Sequence, residues 1–91
     1  MKFCIEVGQA DVNVVEFSFN QLLGQLSIKV NNREVKRNRR LFNEPAAETH
    51  TLEVGEDERI VVRIEKERKL LYGQKCRVFL NNRLYKCYDG V

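Results

Sequence analysis

One stretch of this chain occurs twice. Leu22-Leu23-Gly24-Gln25-Leu26-Ser27-Ile28-Lys29-Val30-Asn31-Asn32-Arg33-Glu34-Val35-Lys36 returns as Leu70 to Lys86, with one residue more after the paired leucines and one more after the glutamine. In each copy an apolar-rich run meets Asn-Asn and a second run follows at once. Asparagine is among the few non-glycine residues that tolerate the positive φ of a type I′ turn, so both copies read as tight β-hairpins. With Asn31-Asn32 as the loop, Val30 faces Arg33, Lys29 faces Glu34 and Ile28 faces Val35. The same count about Asn81-Asn82 sets Leu80 against Arg83, Phe79 against Leu84, Val78 against Tyr85, Arg77 against Lys86 and Cys76 against Cys87. The cysteine pair then falls at a hydrogen-bonded position with Cα atoms about 5.5 Å apart, within reach of a disulfide.

The rest of the chain keeps the same period of two. Phe3 to Val7 and Val12 to Phe19 are β-branched and aromatic runs separated by the turn residues Gly8-Gln9-Ala10-Asp11. Thr49 to Val54 and Arg59 to Glu65 alternate apolar and polar residues across Gly55-Glu56-Asp57-Glu58. Phe19 to Leu23 and Glu65 to Leu71 have helix-forming composition but are short and run into Gly24 or Gly73, which leaves room for a turn at most. The expectation is an all-β fold: an antiparallel β-sandwich or flattened barrel of about eight short strands joined by hairpins.

Composition bounds the rest. A chain of 91 residues has room for one core, so a single β-domain over 1–91 is expected. The mix of 43% hydrophobic and 32% charged residues is that of a folded domain and not of a disordered tail. No apolar run approaches the ~20 residues of a membrane-spanning helix, and no membrane partner is expected. Glu6 interrupts what would have to be the apolar core of an export signal, and Cys4, Cys76 and Cys87 lack the spacing of a zinc or redox motif. A reducing, cytoplasmic setting is the default, with Cys76 and Cys87 free unless oxidised and Cys4 unpaired. The net charge of +3 is small beside 16 basic and 13 acidic residues, so local clustering matters more than the overall field.

The succession of segments resembles the β-domain of the Fas apoptotic inhibitory molecule family. There too a strand, a tight hairpin and a basic-rich return strand occur twice, with a strand ending in Val-Gly between them. The matching segments are Ile28 to Lys36, Leu52-Glu53-Val54-Gly55 and Val78 to Lys86, which places the resemblance over roughly the last two-thirds of the chain. The chain departs from the family in having Asn-Asn-Arg where an Asn-Gly-Lys type of turn is usual, and Leu41-Phe42 where a tryptophan is expected. The resemblance implies an antiparallel β-sandwich that acts without catalysis, through contacts with other proteins, and it supplies no catalytic residues.

Residues that carry chemistry are sparse. His50, the only histidine, lies between two threonines with no nucleophile in a recognisable context, and reads as an exposed strand residue. Glu53, Glu56, Asp57 and Glu58 cluster at one hairpin tip but lack the spaced frame of a calcium loop. No metal or cofactor is implied, and no enzyme. The most unusual feature is the basic run Arg33, Lys36, Arg37, Arg39 and Arg40. Strict alternation puts Arg33, Val35, Arg37, Arg39 and Leu41 on one side and Glu34, Lys36, Asn38 and Arg40 on the other. Neither side is apolar enough for a central strand, which points to a sheet edge.

Two explanations of the run stay open: cations that guard an edge against aggregation, and cations that form a binding patch for phosphates or an acidic partner. Two functions follow. The first is a non-enzymatic protein-interaction domain. The second is a small basic β-barrel that binds single-stranded nucleic acid, with Phe42, Tyr72, Tyr85 and Tyr88 as stacking platforms.

Overall fold

The alternation resolves into eight strands: β1 (Lys2–Val7), β2 (Asn13–Asn20), β3 (Gln25–Val30), β4 (Arg33–Arg39), β5 (Ala47–Val54), β6 (Ile60–Arg68), β7 (Gln74–Leu80) and β8 (Arg83–Gly90). The structure, a computed structural model, describes residues 1–40, 45–70 and 72–90. The strands form two four-stranded antiparallel meanders, ordered β1-β2-β3-β4 and β5-β6-β7-β8. The described residues contain no helix; residues 21–24 form a turn after β2, and residues 65–68 are the end of β6.

The inward positions of both sheets form one core. Phe3, Ile5, Val7, Val15, Phe17, Phe19, Leu26 and Ile28 come from the first sheet, and Val54, Val62, Ile64, Cys76 and Val78 from the second. Each large apolar side chain fully removed from water contributes about 1.5–3 kcal/mol, so burial on this scale dominates the fold's stability. The ring of Phe3 stacks on Phe17 at 4.9 Å and, across the two layers, on Tyr88 at 3.9 Å.

The repeat seen in the sequence extends to the whole sandwich. Gly8 and Gly55 occupy corresponding bends with φ of +102° and +96°. A Cβ there would lie 2.3 Å from the Asp11 carbonyl oxygen in one bend and 2.0 Å from that of Glu58 in the other, so both bends require glycine. The bends then exchange hydrogen bonds. The Gln9 amide donates to Glu58 Oε1, and the Glu56 amide donates to Asp11 Oδ2, each at 3.0 Å. One end of the sandwich is thereby closed by a reciprocal contact between corresponding parts of the two sheets.

Both Asn-Asn turns adopt the expected left-handed conformation, with φ between 49° and 68° at Asn31, Asn32, Asn81 and Asn82. The first asparagine does more than permit the turn. The Asn31 amide donates to the Val14 carbonyl while Asn31 Oδ1 accepts from the Val14 amide, and Asn81 treats Val61 in the same way. Each hairpin is thus clamped to the next strand inward.

The register departs from simple counting two residues past each turn. Val30 pairs with Arg33 and Lys29 with Glu34 as expected, but Ile28 pairs with Lys36, leaving Val35 as an extra residue. In the second sheet Val78 pairs with Lys86 instead of Tyr85, and Tyr85 is the extra residue. These are β-bulges, which bend and twist a strand and shift everything beyond by one. Cys76 consequently pairs with Tyr88, and Cys87 with Arg77. The expected Cys76–Cys87 opposition does not occur: Cys76 is buried and Cys87 is exposed. The bulge likewise overturns the expected sides of β4. Opposed residues share a face, so Arg33 joins Lys36 and Asn38 on the inner side, and Glu34 joins Arg37 and Arg39 on the outer.

Candidate functional site

The strand β4 lies at a sheet edge, as its polarity required. Arg33, Glu34, Val35, Lys36, Arg37 and Arg39 are all exposed, so neither face of this strand is covered. On its outer face Arg37 lies 3.9 Å from Glu34, a contact that only the bulge permits. Glu34 Oε2 also accepts from Ser27 Oγ at 3.1 Å. Lys36 lies opposite Ile28 on the inner side and is exposed. Arg40 is different in kind. It is half-buried, its guanidinium donates to Glu48 Oε2 at 2.9 Å, and its amide donates to the Gly24 carbonyl. The structure therefore keeps Arg33, Lys36, Arg37 and Arg39 as an exposed basic strand and assigns Arg40 to a structural ion pair.

That ion pair opens onto a buried polar cluster. Glu48 receives His50 Nε2 at 2.5 Å and lies 3.9 Å from Lys66 Nζ, and the Lys66 ammonium also sits 4.0 Å over the Phe19 ring. His50 and Lys66 are 2% and 1% exposed, which corrects the expectation of an exposed histidine. Burial lowers the His50 pKa from its ordinary value; the Glu48 hydrogen bond opposes that shift, and Lys36 and Arg40 add to it. Cys76 lies beside Lys66 in the β6–β7 register, and burial pushes its thiol up to about 12. A thiol held protonated and closed to solvent is a poor nucleophile. His50 Nδ1 and both amide atoms of Gln74 are buried without a hydrogen-bond partner among the described residues.

The signal for this cluster was the period of two carried further along each strand. Val62, Ile64 and Lys66 share the inner face of β6, as do Val54, Leu52, His50 and Glu48 on β5. Of the carboxylates at the 55–58 bend, Glu58 is committed to Gln9, while Glu53 faces Arg59 at 3.4 Å. The tyrosines do not line the basic strand. Tyr88 is stacked on Phe3, Tyr85 is the bulge residue of β8 in the other sheet, and Tyr72 lies in the β6–β7 loop; Phe42 and Leu41 lie outside the described residues. Comparison with protein-family models, curated proteins and solved structures returns no match for this chain.

Proposed function

We propose that this chain is a non-enzymatic protein-interaction domain whose open β4 edge receives an extended acidic segment of a partner. One observation carries the reading. β8 is the counterpart of β4 in the other sheet, with the same turn, the same bulge and the same edge position. Yet from Arg33 to Arg39 β4 carries four cations and one carboxylate, whereas the corresponding Arg83 to Asp89 carries two cations, one carboxylate and exposed Leu84 and Tyr85. Guarding an edge does not require the additional charge, since β8 has the bulge without it. The excess on β4 is accounted for by a ligand. An unpaired strand edge supplies backbone hydrogen bonds to an added strand, and the side chains set the charge it prefers. The resemblance to the Fas apoptotic inhibitory molecule family supports the same class of function.

Fluorescence anisotropy with labelled polyglutamate and with an oligothymidylate separates this reading from nucleic-acid binding. Wild type should bind polyglutamate, the K36E/R37E variant should lose that affinity, and the charge-matched K75E/K86E variant should keep most of it. Equal losses in the two variants would reduce the effect to net charge. Tighter binding of the oligothymidylate, with a steep salt dependence, would return the nucleic-acid reading.

A further inference from the structure

The two ends of the sandwich differ in chemistry. The end closed by the reciprocal bends carries Asp11, Glu56, Asp57 and Glu58. The opposite end carries Met1, the loop 21–24 and residues 69–70 and 72–73, and the Gly73 amide donates to Gln21 Oε1 at 3.1 Å. Among the described residues here, four large apolar side chains face solvent: Leu22 at 84% exposure, Leu70 at 97%, Tyr72 at 62% and Leu23 at 40%. Leu22 and Tyr72 share one shallow groove with Lys2. The cations Lys2, Arg39 and Arg68 stand at the strand ends around the same loops. Lys69 at this end is paired with Asp89, and Lys2, though exposed, lies 4.0 Å from Glu16.

Single exposed leucines are ordinary, but a cluster on two bonded loops with a cationic surround marks an interaction surface. Three properties identify its occupant. Leucines this exposed protrude and are not cradled, so they match a soft, deformable partner better than a rigid one. The surrounding charge is predominantly basic, whereas at the far end Asp11, Glu53, Glu56, Asp57 and Glu58 outnumber Arg33, Arg59 and Arg83, which orients the molecule end-on toward an anionic plane. A second copy fits poorly, because joining like ends sets Lys2, Arg39 and Arg68 against their own equivalents, and joining unlike ends sets leucines against carboxylates. We propose that this end docks onto an anionic lipid surface, with Leu22, Leu70 and Tyr72 entering the headgroup layer while Lys2, Arg39 and Arg68 meet its charge. Docking of this kind needs apolar tips and a few cations and no spanning segment, so it revises the expectation of no membrane partner.

Co-sedimentation with sucrose-loaded vesicles tests it. Wild type should pellet with phosphatidylcholine vesicles containing about a third phosphatidylserine, bind phosphatidylcholine alone far less, and release as salt rises. Each leucine taken out of water is worth about tenfold or more in affinity, so L22S/L70S should bind about a hundredfold more weakly. Each cation near the surface is worth about fivefold, so K2S/R68S should lose roughly twenty-five-fold on the anionic vesicles. Thermal melts of both variants should match wild type, because none of the four side chains is buried. The proposal is overturned if wild type does not pellet or if L22S/L70S pellets equally. It is also overturned if the leucines matter only for binding soluble polyglutamate, which would make the occupant an acidic protein.

Discussion

Replacing Glu48 by Gln should unfold this protein far more readily than its one-atom change suggests. The carboxylate is 10% exposed and lies 3.9 Å from the ammonium of Lys66, whose side chain is fully enclosed. At that separation, with an effective dielectric of about 20, the attraction between the two charges is roughly 4 kcal/mol. Much of it offsets the cost of dehydrating both groups, and removing Glu48 withdraws that attraction while Lys66 stays buried. The expected loss for E48Q is about 3–5 kcal/mol. At about 4 °C or more per kcal/mol for a chain of this size, Tm should fall by roughly 12 °C or more. Glutamine keeps the size of the side chain and an oxygen that can accept from Arg40, so the loss reports charge and not volume. The partner variant K66M should cost less, about 1 kcal/mol, because Glu48 retains Arg40 at 2.9 Å and His50. The double variant E48Q/K66M should recover to within about 1 kcal/mol of K66M alone, since the buried charge opposite the substituted carboxylate is then gone as well. Urea unfolding followed by circular dichroism gives all the values of this cycle. A melt of E48Q within about 3 °C of wild type, or a double variant as unstable as E48Q, would refute the reasoning.

Other outcomes follow from the same geometry. Burial holds the His50 pKa below 6.5, so the unfolded chain takes up a proton before the folded one; the His50 contribution to stability should be fully present well above pH 6.5 and be lost as pH falls through and below it, with H50Q lacking that component in pH-dependent urea midpoints. Cys4 and Cys87 are exposed while Cys76 is enclosed with its thiol near 12, so limited iodoacetamide treatment read by peptide mass should modify the first two and spare Cys76 until the protein is unfolded. Gly55→Ala places a Cβ 2.0 Å from the Glu58 carbonyl at a positive φ, and should cost more than 1 kcal/mol, in contrast to Gly90→Ala, where nothing lies within 4 Å. If the β4 cations serve a ligand, R37V/R39V should stay soluble on its bulge, as β8 does; light scattering that shows aggregation would instead make those arginines edge guards.

The hairpins and the edge were legible in the sequence because their causes are local. Positive φ at Asn31-Asn32 and Asn81-Asn82 depends on two residues, and strand character depends on alternation over a few more. The edge position of β4 followed from a run polar on both sides, which no covered strand tolerates. The bulges were not legible. Val35 and Tyr85 are suitable strand residues, and which residue a ladder skips depends on how the whole hairpin twists against its neighbour. That one-residue slip separated Cys76 from Cys87 and brought Glu34 to Arg37.

The functional surfaces divide in the same way. The basic run was visible as composition, whereas the detachment of Arg40 from it required Glu48 to arrive from β5. A lysine and a histidine in phase with valines and isoleucines read as misplaced polar residues until Glu48 meets them within their own sheet and the facing sheet covers them with Phe19. The gathering of Leu22, Leu70 and Tyr72 at one end likewise depended on two loops far apart in the chain meeting through Gln21 and Gly73. Local backbone chemistry decided where this chain turns and which segments become strands. Only the packing of one meander on the other decided which charges are buried and which apolar residues share a surface, because burial and proximity are set by groups that sequence distance does not bring together.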